Sequence, residues 1–425
     1  MSRIKDEKLA GEGERELNWA RENMPLLSLI GERFEREKPF RGMRVGVCLH
    51  LEKKTAVLIE TLMKGGAEVA AASCNPLTTD DRVAAALVKK GVDVYAWAGE
   101  SREDYYRNIN SVLDHQPELL IDDGCDQIFM VHKKRRELIG KIRGGCEETT
   151  TGVMRLRAME REGRLEFPVI AVNNAYSKFL FDNRFGTAQS TVDGIMRATN
   201  KLIAGKTVVV VGFGWCGRGI CERMRGLGAN VIVVETIGRF GEGPAGQHKA
   251  LEALYSGFRV MSMEEAAKEG DLFITATGNI HVITKKHFEK MKDGAVLANA
   301  GHFNNEIDVD SLRKLARKKE RVKENLERFT MKDGRRLYLL SEGRLVNLAR
   351  PSGQGHPIEI MDGSFAIQAL CLEYVSKNKL PIKLLSVPTE IDDRVAELAL
   401  QLKGIKLSKL TEEQRRYASS WEEGT

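Results

Sequence analysis

Short apolar runs alternate with amphipathic stretches from about residue 40 to 172. The runs are Met43–Leu49, Glu68–Ala72, Asp93–Ala98, Leu119–Ile121 and Val169–Val172, and Thr55–Lys64, Asp80–Lys90 and Glu103–His115 between them carry helical spacing. Runs this short, with helices between, predict a parallel sheet covered on both faces. A second series begins after residue 205: Thr207–Val211, Asn230–Val234, Leu272–Ala276, Ala295–Asn299 and Leu345–Leu348. The pattern predicts an α/β chain of two doubly wound, Rossmann-like parallel sheets. A helical hinge at about 177–203 joins them, with a cleft between. Val309–Arg328 is dense in Lys, Arg and Glu, and its interspersed acids predict a solvated helical face rather than a nucleic-acid surface. Gly238–Gln247 holds four glycines and a proline, which predicts a loop. The end, Leu407 to Thr425, reads as a short helix and a polar tail.

Composition narrows the class. A length of 425 residues suits roughly two or three domains, and 42% hydrophobic residues supply real cores. Lys+Arg 66 against Asp+Glu 60 leaves +6, spread along the chain, so neither nucleic acid nor a membrane is the expected partner. No apolar run approaches the roughly 18 residues that span a bilayer, and Met1 to Arg15 lacks the apolar core of a signal peptide. The seven cysteines include no C-x-x-C pair. No disulfide or structural metal framework is expected, and a reducing cytoplasm fits.

The strongest physical signal is Lys206-Thr-Val-Val-Val-Val-Gly212-Phe-Gly214-Trp-Cys-Gly217: strand, G-x-G-x-x-G, helix. Gly212 permits the tight turn, Gly214 lets backbone approach a pyrophosphate, and Gly217 lets helix pack on strand. The phosphates belong at the helix N-terminus, where free N–H groups and the helix dipole favour anions. Glu235 ends the next strand, 23 residues after Gly212, where an acid grips ribose hydroxyls and repels a 2′-phosphate. The motif predicts NAD.

Polar groups stand at the strand ends, where open α/β sheets gather ligands. His50, Asp122, Asp123, Glu147, Glu148 and His302 are such groups, with Thr149–Thr151 and His356 on neighbouring turns. Each alone is more often a cap or turn former. Lys178 and Asp182 are four apart in a helical stretch, which fits a surface pair or a lysine oriented by a carboxylate to move a proton. From the residues alone, the reading is an NAD-dependent enzyme doing acid–base chemistry in a cleft.

Beyond that point the chain resembles the S-adenosylhomocysteine hydrolase family over nearly its whole length. The resemblance is carried by Cys48-Leu-His-Leu-Glu-Lys-Lys-Thr-Ala-Val-Leu-Ile-Glu-Thr-Leu62, Ile121-Asp-Asp-Gly-Cys-Asp126 and Cys146-Glu-Glu-Thr-Thr-Thr-Gly152. Ser177-Lys-Phe-Leu-Phe-Asp-Asn-Arg-Phe-Gly186, Asn299-Ala-Gly-His-Phe303, Glu342-Gly-Arg-Leu-Val-Asn-Leu348, Gly355-His-Pro357 and Ser364-Phe365 complete it.

The resemblance implies a substrate-binding domain over 1–176, completed by about 357–388, and an NAD domain over 189–355. It also implies a C-terminal oligomerisation segment over 389–425 and a homotetramer. The mechanism it implies is that bound NAD oxidises the nucleoside 3′-hydroxyl, the C4′ proton becomes acidic, homocysteine leaves, water adds at C5′, and the ketone is reduced back. By the same resemblance, Lys178 and Asp182 handle the 3′-hydroxyl, and Asp123 and Glu148 belong to the nucleoside site, Asp123 facing the C4′ proton. His50 and His302 lie near C5′, and Asn183 supports catalysis. Thr149, Thr150, Thr151, Gly212, Gly214, Trp215, Cys216, Gly217, Glu235, Asn279 and Asn347 fall at NAD positions. Glu52, Lys54, Thr55, His356, Met361 and Phe365 fall at substrate positions, His356 as a gate.

Several positions depart from the family pattern. Gly238–Gln247 is long, Arg350–Gln354 adds about two residues, Asn174 and Asn304 stand where Asp is frequent, and Tyr417–Thr425 lacks a Lys-and-Tyr extension. Members acting on adenosine often carry Thr and Glu where this chain has Glu52 and Lys54. The leading expectation is hydrolysis of S-adenosyl-L-homocysteine. The alternative is S-inosyl-L-homocysteine, because an ammonium donates and never accepts. A Lys54 directed to solvent from the first helical turn would remove that argument.

Overall fold

The structure is a computed structural model that describes residues 2–241 and 243–422. The last three positions of the tail and position 242 of the glycine-rich loop lie outside the described residues.

Two sheets organise the chain. The first takes β1 (Arg44–Leu49), β2 (Glu68–Ser73), β3 (Asp93–Tyr95), β4 (Leu119–Asp122), β5 (Gly144–Glu147), β6 (Val169–Ala171) and a late strand, β15 (Leu384–Ser386). Its order is β15-β6-β5-β4-β1-β2-β3, and each pairing is parallel. The second takes β7 (Thr207–Val211), β8 (Asn230–Val234), β9 (Arg259–Val260), β10 (Leu272–Thr275), β11 (Val296–Asn299), β12 (Ala316–Lys323), β13 (Leu326–Met331) and β14 (Arg336–Leu340). Its order is β12-β13-β14-β11-β10-β7-β8-β9, parallel except at the β12-β13 and β13-β14 pairs. Val208–Val210 and Ile232–Val233 are fully buried, as strands covered by helices on both faces require.

Each sheet reverses its winding once. In the first, β1 and β4 are neighbours and their chains leave in opposite directions; in the second, β7 and β10 are. Such a switch point leaves a crevice beyond the carboxyl ends of the strands, and ligands bind there. His50 and Asp123 follow one switch, and Gly212 and Ala276 follow the other.

The expected elements correspond closely to Lys53–Lys64, Asp81–Lys89 and Arg102–Asp114. The hinge is helical from Tyr176 to Thr199, with a π-helical stretch over Phe179–Gly186. Two expectations are corrected. Within Val309–Arg328 only Val309–Leu315 is helical; Ala316–Lys323 is an edge strand. Charge on both of its faces hides the period-two signal, and charge on an edge strand discourages pairing with another chain. Leu345–Leu348 is no strand: Leu345 makes one isolated bridge to Asn299, and β14 holds the place beside β11. Gly144–Glu147, Arg259–Val260, Leu326–Met331, Arg336–Leu340 and Leu384–Ser386 also form strands, outside the expected runs. Among the described residues no helix is long and apolar enough to cross a membrane, and all seven cysteines are free.

The segment from Ile358 onward returns to the first sheet. Ile358–Lys377 forms a long helix whose Asp362 accepts from Leu26 N at 2.9 Å and Leu27 N at 2.8 Å. Helix Thr389–Leu402 contributes Asp392, which accepts from Tyr176 N at 2.6 Å and Ser177 N at 2.8 Å. A buried carboxylate thus caps the start of the hinge. Asp392→Ala leaves two amide donors without partners and should lower stability by about 1–3 kcal/mol. Thermal unfolding followed by circular dichroism measures it, and Asp392→Asn, which keeps one acceptor, should recover part of the loss.

Candidate active site

The carboxyl ends of the two sheets face one cavity of about 420 Å³, lined from the first sheet by His50, Asp123 and Glu148 and from the second by Gly214, Ala276 and His302. The hinge supplies Lys178, Asp182 and Asn183 to the same wall.

The side nearest the second sheet has the form of a dinucleotide cradle. A Cβ at Gly217 would collide with the Gly212 carbonyl, so only glycine lets helix Trp215–Gly226 press onto the turn. Gly214 opens onto free space, and no side chain caps that helix, whose first N–H groups stay available. Glu235 accepts from Phe213 N at 2.6 Å, which ties the acid to the turn. Glu306 holds the facing loop, accepting from Thr277 N at 3.0 Å and Gly278 N at 2.8 Å. Thr151 Oγ1 and Asn347 Oδ1 are buried without a protein partner. Orphaned polar atoms of this kind call for a ligand with its own donors and acceptors. Cradle, helix terminus, acid and orphaned groups fit NAD.

The hinge side holds a buried charge cluster. Lys178 Nζ lies 2.8 Å from Asp182 Oδ2, 3.6 Å from Glu148 Oε1 and 2.9 Å from Asn183 Oδ1. The π-helical stretch explains the set: residues i and i+5 share a face there, so Asp182 and Asn183 both reach Lys178. Asn173 Oδ1 accepts from Lys178 Nζ at 3.3 Å, Asn183 Nδ2 at 3.2 Å and Thr150 Oγ1 at 3.3 Å. Glu148 is fixed by Ser364 Oγ at 2.7 Å and Gln368 Nε2 at 2.5 Å, and His356 Nδ1 meets Asp182 Oδ1. Burial alone would lower the Lys178 ammonium, but Asp182 and Glu148 outweigh it and raise the group above the ordinary lysine value. Burial raises Glu148, with Lys178 opposing. Asp182 also suffers burial, yet His356 and Lys178 hold it below the usual carboxylate range.

A second cluster sits at the first switch point. His50 Nε2 is 3.4 Å from Asp123 Oδ2, and His302 Nδ1 is 3.5 Å from Asp123 Oδ1. Gly124 has φ +99, and a Cβ there would strike the His302 ring. Burial lowers His50 to about 4 despite the nearby Asp123, so its imidazole is neutral at pH 7. His50 Nδ1 lies 2.9 Å from Thr78 Oγ1, and that hydroxyl donates to Asn75 O at 3.1 Å. The neutral ring carries one hydrogen, and with Thr78 beside Nδ1 and Asp123 beside Nε2 either nitrogen has a partner for it. Behind them Glu147, raised by burial and then by Asp122 and Asp123, accepts from Gly124 N at 2.8 Å and Thr149 N at 3.0 Å.

The sequence candidates largely converge. Glu52, Lys54, Thr55, Thr149–Thr151, Trp215, Cys216, Asn347, His356, Met361 and Phe365 all line the cavity. Lys54 does not point to solvent: it is 2% exposed, with Nζ 2.9 Å from Glu52 Oε2 and 2.9 Å from Gln354 O. Gly212, Gly217 and Glu235 stand behind the lining and shape the turn. Asn279 stands apart from the cavity wall, its Oδ1 turned back to Ile280 N at 2.8 Å. Sequence reasoning missed Cys74, Thr78, Asn173, Glu306 and Gln368. Asn173 and Cys74 follow strands, so strand-end position could have flagged them. Gln368 sits mid-helix and carried no signal.

Comparison with known proteins agrees. Residues 1–139 match the family model described as S-adenosyl-L-homocysteine hydrolase, and residues 183–353 match the one for its NAD binding domain. The chain is 56% identical over 427 residues to an S-inosyl-L-homocysteine hydrolase of Methanocaldococcus jannaschii, covering 100% of both. It is 58% identical over 431 residues to one of Methanopyrus kandleri, covering 99% of this chain and 98% of that protein. It is also 56% identical over 424 residues to an adenosylhomocysteinase of Pyrococcus abyssi, covering 99% of this chain and 98% of that protein. With a dinucleotide cradle and a buried Lys–carboxylate cluster in one cavity, and identity above half along its full length, the chain belongs to the S-adenosyl-L-homocysteine hydrolase family.

Proposed function

We propose that this enzyme reversibly hydrolyses the thioether of a purine nucleoside–homocysteine conjugate, with S-inosyl-L-homocysteine preferred over S-adenosyl-L-homocysteine. The carrying observation is one cavity that joins an NAD cradle, the Lys178 cluster and the His50–Asp123–His302 cluster. Residues 1–176 with about 357–388 form the substrate-binding part and 189–355 the NAD part. The return of Leu384–Ser386 to the first sheet supports that division. Segment 389–425 serves a homotetramer; Leu407, Leu410 and Trp421 stand exposed along it, which suits burial against another copy.

NAD bound in the cradle supplies reversible oxidation of the nucleoside 3′-hydroxyl. Lys178 moves that hydroxyl's proton. Its ammonium passes a proton to Glu148, the carboxyl that burial has raised, and takes up the one from the 3′-oxygen. Asp182 and Asn183 keep the amine aimed while charge shifts. With C3′ oxidised, the C4′ proton is acidic and Asp123 removes it as homocysteine leaves C5′. His302 protonates the departing sulfur, and the neutral imidazole of His50 takes a proton from the water that adds at C5′. Asp123 returns its proton to C4′ and Lys178 returns the one from the 3′-oxygen, while the proton His50 took from water replaces the one His302 gave the sulfur, so hydrolysis closes with no net redox change.

Glu52 and Lys54 read the purine. Side by side in the cavity wall they present one acceptor and one donor. Hypoxanthine offers a 6-oxo acceptor beside an N1–H donor, and adenine offers the reverse order. With Lys54 at the 6-position, the oxo group is satisfied and Glu52 accepts from N1–H. The relatives named S-inosyl-L-homocysteine hydrolases support this reading.

Two outcomes test these roles. Lys178→Ala should abolish formation of bound NADH on mixing with nucleoside, whereas His302→Ala should keep that signal and lose about 10²–10⁴-fold in thiol release. Equal loss of the redox signal in both variants would refute the division of labour. An amino group facing Lys54 leaves donors unmet at about 1–3 kcal/mol, so kcat/KM should favour the inosyl substrate by roughly ten- to a hundredfold. Lys54→Glu should swing the ratio toward the adenosyl substrate; a wild type that prefers adenosyl strongly sinks the purine reading alone.

A further inference from the structure

Three electron-pair donors of different chemistry converge at the first switch point. Among the described residues, one ligand atom each from His50, Cys74 and Asp123 lie within 4.8 Å of one another. Cys74 follows β2, the neighbour of β1, so adjacent strand ends deliver all three. Asp123 Oδ2 is the centre: His50 Nε2 approaches it at 3.4 Å and Cys74 Sγ at 3.6 Å. Bonds of about 2.0–2.3 Å to a tetrahedral zinc ion set its ligand atoms roughly 3.3–3.7 Å apart. Both measured separations fall in that range.

The ring contact on the far side supports ligation. With Nε2 on a cation the ring hydrogen sits on Nδ1, where Thr78 Oγ1 at 2.9 Å accepts it. The hydrogen a cation displaces is that of the Cys74 thiol, which donates to Asp123 Oδ2. The Thr78–His50 contact also has the form that orients metal-bound imidazoles, in which the ring's other N–H is held by a neighbouring acceptor. Cys74 is 4% exposed and Asp123 6%, so few waters compete, while His50 and Asp123 open on the cavity and leave a path in.

We propose that His50 Nε2, Cys74 Sγ and Asp123 Oδ2 form a three-ligand site for a soft divalent cation, zinc fitting best, with a fourth position open to the cavity. Binding replaces the thiol proton: the Cys74 S–H bond breaks, an S–Zn bond forms, and one proton passes to solvent. Nothing is oxidised or reduced. Two of the ligands are groups given C4′ and C5′ roles above. On that reading a bound ion silences the enzyme, and chelation restores it.

The test measures binding directly and does not depend on the catalytic roles. NAD-loaded protein, stripped with chelator, is titrated with zinc chloride against a chromogenic chelator. One zinc per chain is expected. Cys74→Ser should weaken binding by at least about a hundredfold. Thr78→Val, outside the ligand set, should weaken it by about 10–100-fold, the usual cost of losing a supporting hydrogen bond. Cobalt(II) in the same site should show a thiolate-to-metal charge-transfer band that Cys74→Ser lacks. If Cys74→Ser fails to fold, the wild-type cobalt spectrum and the Thr78→Val titration decide. Absence of stoichiometric zinc, a cobalt complex without the thiolate band, or variants that bind as wild type would each overturn the site.

Discussion

An ammonium with 4% of its surface exposed must have its charge met where it stands, because an unpaired buried charge costs several kcal/mol. Lys178 sits in that position, and much of the architecture follows from supplying its partners. Asp182 and Asn183 come from the π-helical stretch of the hinge, and Glu148 comes from the end of β5. Glu148 is in turn buried and needs donors, which arrive as Ser364 and Gln368 on the helix Ile358–Lys377. The segment from Ile358 onward therefore has to return to the first sheet after the second is complete. His356 closes the set from the bend that precedes that helix.

The same reasoning explains what the chain discloses before folding. Strand runs, the glycine turn and Glu235 are local patterns, so both sheets and the NAD cradle were legible. His50, Asp123, Glu148 and His302 were legible too, because strand ends are where α/β sheets place ligands. What escaped depends on partners far along the chain. Gln368 matters only because Glu148 reaches it across 220 residues. Asn173 is a hub only once the hinge folds over it. Ala316–Lys323 looked helical because an edge strand charged on both faces has no hydrophobic period to read. Lys54 could have faced solvent by its place in the first helical turn; burial against Gln354, at the end of the Arg350–Gln354 insertion, decides otherwise.

The two clusters that share the cavity differ in their protons. Around Lys178 an ammonium stands among carboxylates and amide oxygens, and protons can be exchanged without leaving the wall. Around Asp123 burial keeps the imidazole of His50 neutral, so that ring can take up a proton. Asp123 still counts among the groups that raise Lys178, which puts the two inventories within electrostatic reach of each other. A change of charge at one is felt at the other. That coupling suits chemistry in which oxidation at one carbon makes the proton on its neighbour removable.

Separating the inventories also fixes the direction from which water must be managed. A neutral imidazole beside Asp123 is useful only if solvent cannot fill the gap at will, and the buried Cys74, Asp122 and Glu147 close the wall behind it. Glu147 bridges the turn carrying Asp123 to the turn carrying Thr149. One buried acid, its pKa raised by burial and by Asp122 and Asp123, thus joins the two corners of the cavity through backbone amides. Displacement of either turn would shift the other. The position of the acceptor cluster is therefore set by the same carboxyl that orders the approach to NAD.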